Sequence, residues 1–115
     1  LPGISLPPEM DWARNVFWLY SVLIDESVTG ISRDKLMLEL QKEGIETRPF
    51  FYPLHQQPPF KQKSGNFAVS KSLSARGVSL PSSPRITADE IVRITGVIKK
   101  IIMRNLKCLQ EKDVL

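Results

Sequence analysis

Isoleucines stand at positions 91, 94, 98 and 101 of the chain, a spacing that only a helix gathers into one apolar stripe. Val97 and Ile102 widen the stripe, and the pattern runs past Arg104. Its start is marked by Thr87 and, three residues on, by Glu90. That pairing is a capping box: the threonine hydroxyl accepts from one backbone amide and the glutamate reaches back to another. Lys99, Lys100, Arg104 and Lys107 fall on the polar side. A helix so apolar on one face has to be covered by a second layer, and the preceding residues must supply it.

Those residues read as alternating strands and helices. Leu1 to Arg14, with Pro2, Pro7 and Pro8, is expected to form an extended lead-in (residues 1–14), with Trp12 able to pin it to the core. Val16 to Ile24 is almost unbroken apolar, with Ser21 the interruption. Continuous hydrophobicity fits a strand covered on both faces and leaves a buried helix open; the flanking residues favour the strand. Trp18 and Tyr20 then share a face and read as core. Asp25 to Gly30 is expected to turn. Ser32 can cap a helix over 33–42 that brings Leu36 and Leu40 together beside Met37. Asn66 can cap a second helix from Phe67 to Arg76, ended by Gly77. Val78 to Leu80 is a short strand stopped by Pro81, and the polar tail, 108–115, is expected to fray. The sum is an α/β (α+β) chain of three strands and three helices whose strand direction alternation alone leaves open.

The densest chemistry lies in Gly44-Ile-Glu-Thr-Arg-Pro-Phe-Phe-Tyr-Pro-Leu-His55. Gly44 suits a left-handed helix end. Ile45 to Tyr52 reads as a strand in which Pro49 cannot donate to a ladder, which marks an edge. Pro49 also holds Arg48 extended. Strand alternation puts Arg48, Phe50 and Tyr52 on one face and Phe51 on the other, so Phe51 reads as core and the other aromatics as walls of a pocket, an assignment that fails if Pro49 breaks the strand. Gln56, Gln57, Pro58, Pro59 and Ser64 mark a surface loop, in which Phe60 is a candidate anchor. Arg48 has the planar fork that suits phosphate or carboxylate, against the alternative of a surface salt bridge. His55 is either a ligand contact or a structural donor to a loop carbonyl near Pro53.

This stretch, followed by Leu80-Pro81 and by Thr87-Ala88-Asp89-Glu90, resembles the C-terminal small domain of the DegT/DnrJ/EryC1/StrS family of sugar aminotransferases, which depend on pyridoxal 5'-phosphate (PLP). Arg48 to His55, with Asn15-Val16-Phe17-Trp18-Leu19-Tyr20, is most similar to the perosamine synthetase branch, which aminates GDP-4-keto-6-deoxymannose. The resemblance implies a small, largely antiparallel three-stranded sheet packed by three helices, as in the C-terminal domain of fold type I aminotransferases, over residues 15–107. It further implies a cytoplasmic, homodimeric parent enzyme of O-antigen sugar synthesis that moves an amino group from glutamate. In such an enzyme Arg48, Phe50, Tyr52 and His55 are expected on the substrate side, with Arg48 meeting an anionic or hydroxyl group. The Schiff-base lysine and its acidic partner belong to the family's large domain, and nothing here matches their motifs. The chain alone is therefore expected to be inactive and to bind no PLP, and its start at Leu1-Pro2-Gly3 reads as a cut in a longer polypeptide.

Composition narrows the alternatives. A chain of 115 residues supports one domain that buries roughly two-thirds of its unfolded surface. No apolar run approaches the roughly 20 residues of a membrane span, and Leu1 to Met10 lacks the pattern of a signal peptide. Cys108 is the only cysteine and His55 the only histidine, which leaves no intrachain disulfide and no metal site at ligand spacing. The net charge of +4 raises nucleic-acid binding, yet the basic residues are spread out and fit a solvated helix face better. No phosphate loop or nucleophile elbow is present. The remaining alternative is a free-standing small α/β binding or dimerisation module.

Overall fold

The capped helix is present as α4, Ala88–Lys112. The Thr87 amide donates to Glu90 Oε2 at 2.7 Å and the Glu90 amide to Thr87 Oγ1 at 3.2 Å, so two orphan donors are satisfied reciprocally. Ile94, Ile98, Ile101 and Ile102 are buried and Val97 packs beside them. Ile91 departs from the expected stripe. It is exposed and borders an open groove with Phe17, Tyr20 and Leu80. The helix also continues beyond Lys107, where fraying was expected. The computed structural model describes residues 1–61 and 65–112. The loop reading over 62–64, which includes Ser64, and the tail reading over 113–115 lie outside the described residues.

The layer under α4 is a sheet of β1 (Ile4–Ser5), β2 (Tyr20–Ile24), β3 (Arg48–Pro49) and β4 (Gly77–Leu80), in the order β1-β2-β4-β3. Every pairing is antiparallel, as the family resemblance implied. A fourth strand is added because the lead-in pairs Ile4 with Ile24 and Ser5 with Leu23. On the inner face, Val22, Ile24 and Val78 join Leu36, Leu40 and the α4 isoleucines in one core. Burial of each such side chain contributes about 1.5–3 kcal/mol.

Helices α1 (Glu26–Thr29), α2 (Arg33–Lys42) and α3 (Ala68–Arg76) complete the fold. The first replaces the expected turn, with Asp25 Oδ1 accepting from the Ser27 amide at 3.1 Å. Ser32 caps α2 as expected, accepting from the Lys35 amide at 3.3 Å. Gly44 then takes φ 72°, and Ile45 donates to Leu40 O at 2.9 Å as the chain turns. Helix α3 begins one residue later than expected: Asn66 Oδ1 accepts from the Ala68 amide, and Phe67 stays outside the helix. Its end is held by Arg33, whose Nη1 donates to Ser74 O at 3.3 Å and to Gly77 O at 2.9 Å. A cation at a helix C-terminus satisfies stranded carbonyls and opposes the helix dipole. No helix among the described residues is long and apolar enough to cross a membrane.

The run Val16 to Ile24 is not one strand. Phe17 adopts φ 47°, and its amide donates to Asn15 Oδ1 at 2.8 Å, a local bond that competes with a sheet ladder. A left-handed non-glycine residue costs about 1–2 kcal/mol. Strand β2 therefore starts at Tyr20, and Trp18 is 76% exposed rather than core. Tyr20 does pack partly buried against the core, whereas Trp12 is exposed and pins nothing.

Candidate ligand-binding ledge

The chemistry-rich stretch leaves the sheet sooner than alternation predicts. Strand β3 is confined to Arg48–Pro49, because Pro49 has no amide to donate. Phe50 makes one more bond, to Gly77 O at 3.0 Å. Beyond it, Pro53 is buried and the chain forms two 3-10 turns, Leu54–Gln56 and Pro58–Phe60. The Gln57 side chain ties this bend to the Tyr52 carbonyl at 3.2 Å. Tyr52 lies past the strand, so period-two alternation assigns it no face.

Within the sheet, register decides what shares a face. Arg48 is opposite Ser79, and Ser79 is opposite Ser21. Residues directly opposite lie on the same face, so these three form a row on the side away from Val78 and Val22. The serine hydroxyls are 2.8 Å apart. Phe50 lies next to Gly77, where an added Cβ would meet the Phe50 Cβ at 2.5 Å. Glycine is needed there for space: its φ of −79° is ordinary, and it leads straight from α3 into β4.

Arg48 is exposed, and its Nη2 donates to Glu46 Oε1 at 3.2 Å with both side chains in solvent. Such a pair is weak, and most guanidinium donors remain open to an anion. Tyr52 is 72% exposed and Phe51 63% exposed. Phe51 was expected in the core. It lies outside because the strand ends before it, and its ring meets Trp18 at 6.5 Å and Phe50 at 6.0 Å between centroids. Phe50 is half-buried. Trp18 and Phe51 are thus surface aromatics that the sequence reading missed. Their exposure follows from the Phe17 backbone, which has no local signature, and from the early end of β3 at Pro49. Phe60 is exposed rather than seated in the core as an anchor would be.

His55 is set by a ring contact that neither expectation named. Its imidazole lies flat on the ring of Phe67, with centroids 4.0 Å apart and planes at 12°. Nε2 is buried without a hydrogen-bond partner among the described residues. No bond from His55 to a loop carbonyl near Pro53 is formed among the described residues.

Trp18, Phe50 and Phe51 thus form one aromatic cluster, His55 is stacked separately on Phe67, and Arg48 and Tyr52 are exposed on the same stretch of chain; this run is the candidate ledge. A hollow of about 660 Å³ opens at the start of the same stretch, along Met37, Gln41, Gly44 and Thr47, and other grooves lie away from it. One of about 380 Å³ runs along Phe17, Tyr20, Leu80 and Ile91, and another of about 340 Å³ along Leu1, Ile4, Val22 and Ile98. A Schiff-base lysine requires an enclosed site with an acidic partner for the cofactor ring. Lys35, Lys42, Lys61, Lys71, Lys99, Lys100 and Lys107 are all exposed, and Lys42 is engaged with Glu39 at 2.6 Å. These lysines do not fit the role.

Comparison with known proteins follows the same lines. A sequence model described as the DegT/DnrJ/EryC1/StrS aminotransferase family matches residues 1–99. GDP-perosamine synthase of Vibrio cholerae is 39% identical over 85 residues, covering 72% of this chain and 23% of that protein. The crystal structure of DesI in the presence of its TDP-sugar product superposes with a TM-score of 0.82 at 30% identity, over 98% of this chain and 29% of DesI. An aminotransferase of the same family from Brucella abortus gives 0.72 at 31% identity, over 85% and 26%. The chain thus spans about a quarter of the length of the relatives it matches.

Proposed function

Since the chain belongs to the DegT/DnrJ/EryC1/StrS aminotransferase family, we propose that it is the substrate-side C-terminal domain of a nucleotide-sugar aminotransferase. Its substrate is of the GDP-4-keto-6-deoxymannose type, aminated at the keto carbon with glutamate as donor. The observation that carries this reading is the ledge: an arginine on a proline-stiffened edge strand, flanked by surface aromatics, on a domain whose backbone follows DesI. Arg48 receives the anionic or hydroxyl part of the nucleotide sugar, Phe50 and Tyr52 shape the wall, and His55 orders the adjoining bend. This is positioning work. The opposite wall, the PLP and its lysine belong to further polypeptide, in a cytoplasmic homodimer, and the chain alone is inactive.

Borohydride reduction of the purified chain mixed with PLP tests the division of labour. Low, scattered labelling of surface lysines is expected. Stoichiometric capture at one lysine would place the cofactor site in this chain and end the proposal.

A further inference from the structure

We propose that Phe67 is the positioning residue that sets the pose of His55 on the ledge, an inference that rests on the substrate-side reading above. Three observations converge on it. The imidazole lies on the Phe67 ring, the two planes nearly parallel at 4.0 Å, and its buried Nε2 has no hydrogen-bond partner among the described residues. A buried ring nitrogen without a partner is uncommon, so the stack, and not a polar contact, fixes the ring. Phe67 is itself confined from the chain side. Gly65, at φ 134°, folds over it so closely that a Cβ there would come within 2.5 Å of Phe67 Cε2. Finally, Phe67 is the N-cap of α3, with φ −112° and ψ 28° outside the helical region, and the Asn66 side chain accepts from the Ala68 amide just before the first turn. The helix therefore starts where it leaves Phe67 free to turn toward His55. This pair of rings joins the bend that carries Tyr52 and His55 to the start of α3.

The chain has one histidine, so its imidazole C–H signals in proton NMR are unambiguous. A ring stacked face to face shields them, and they should lie upfield in the wild-type chain, move downfield in Phe67→Leu and return in Phe67→Tyr. Gly65→Ala should displace them in the same direction as Phe67→Leu, which keeps the test open if one variant fails to fold as judged by amide dispersion. With GDP-mannose as the probe, the wild type and Phe67→Tyr should show saturable shifts of the His55 signals, and Phe67→Leu should bind roughly threefold to tenfold more weakly, the loss expected when one contact is misplaced. Imidazole signals identical in wild type and Phe67→Leu would overturn the proposal, as would unchanged GDP-mannose affinity in a variant whose signals have moved. A stack that is present while GDP-mannose leaves the wild-type signals unmoved would instead defeat the substrate reading, and with it the role of Phe67 toward substrate.

Discussion

Glu39 and Arg104 lie sixty-five positions apart, and their side chains meet at 2.6 Å. Lys42 occupies the other carboxylate oxygen, also at 2.6 Å. The bridge fastens α2 to α4 at the rim of the core. Hydrogen bonding from Lys42, and then from Arg104, holds the Glu39 carboxyl below its ordinary value of 4.5. The folded form thus binds the proton more weakly than the unfolded chain does. Its contribution to stability is complete above pH 4.5 and is lost as the pH falls through the lowered value. Glu39→Gln should flatten the acid limb of a urea-midpoint profile and leave a smaller slope. That remainder comes from Asp25, lowered first by the Ser27 hydroxyl, and Glu90, lowered first by the Thr87 amide. An acid limb of unchanged slope would show that the bridge contributes nothing.

The start of α4 depends on Thr87. Thr87→Ala removes the hydroxyl that the Glu90 amide donates to and should cost about 1 kcal/mol, lowering Tm by about 4 °C. Thr87→Ser should restore it. Loss without rescue by serine would point to the methyl group instead.

Gly77 couples the fold to the ledge. Gly77→Ala has to displace Phe50 or the Leu73 carbonyl, which an added Cβ would meet at 2.5 and 2.8 Å. Overpacking of this kind costs about 1–3 kcal/mol. Thermal melts and the aromatic NMR signals of Phe50 and Phe51 should both change. A variant as stable as the wild type would mean that the close approach is relaxed at no cost.

Both tryptophans are exposed, so the fluorescence maximum of the native chain should sit close to that of the urea-unfolded chain. A native maximum far to the blue at low protein concentration would contradict the surface placement of Trp18. A blue shift that appears only on concentration would show that copies of the chain meet through this ledge.

How much of this was legible depended on whether the deciding force was local. The isoleucine stripe, the Thr87 box and the Ser32 cap are written in side-chain spacing and hydrogen-bonding capacity, and they hold apart from Ile91, which faces a groove. Phe17 is different. Its left-handed backbone is imposed by a bond to Asn15 and by the packing of its ring 5.5 Å from Tyr20, and nothing in an apolar run announces that. The exposure of Trp18 and Phe51 follows from it and from Pro49, which ends the strand before Phe51 can turn inward. Strand β1 was hidden because two residues amid prolines carry no periodicity. The stack of His55 on Phe67 joins positions with no sequence relation, so only the folded chain brings it about.

The central claim is that the surface around Arg48 receives a nucleotide sugar. Amide chemical-shift mapping of the isotope-labelled chain with GDP-mannose addresses it directly. The account predicts saturable perturbations concentrated at Arg48 to His55 and at Trp18, greatly weakened in Arg48→Ala. Perturbations confined to other surfaces, such as the lysine-bearing side of α4, or no saturable change at all, would contradict it.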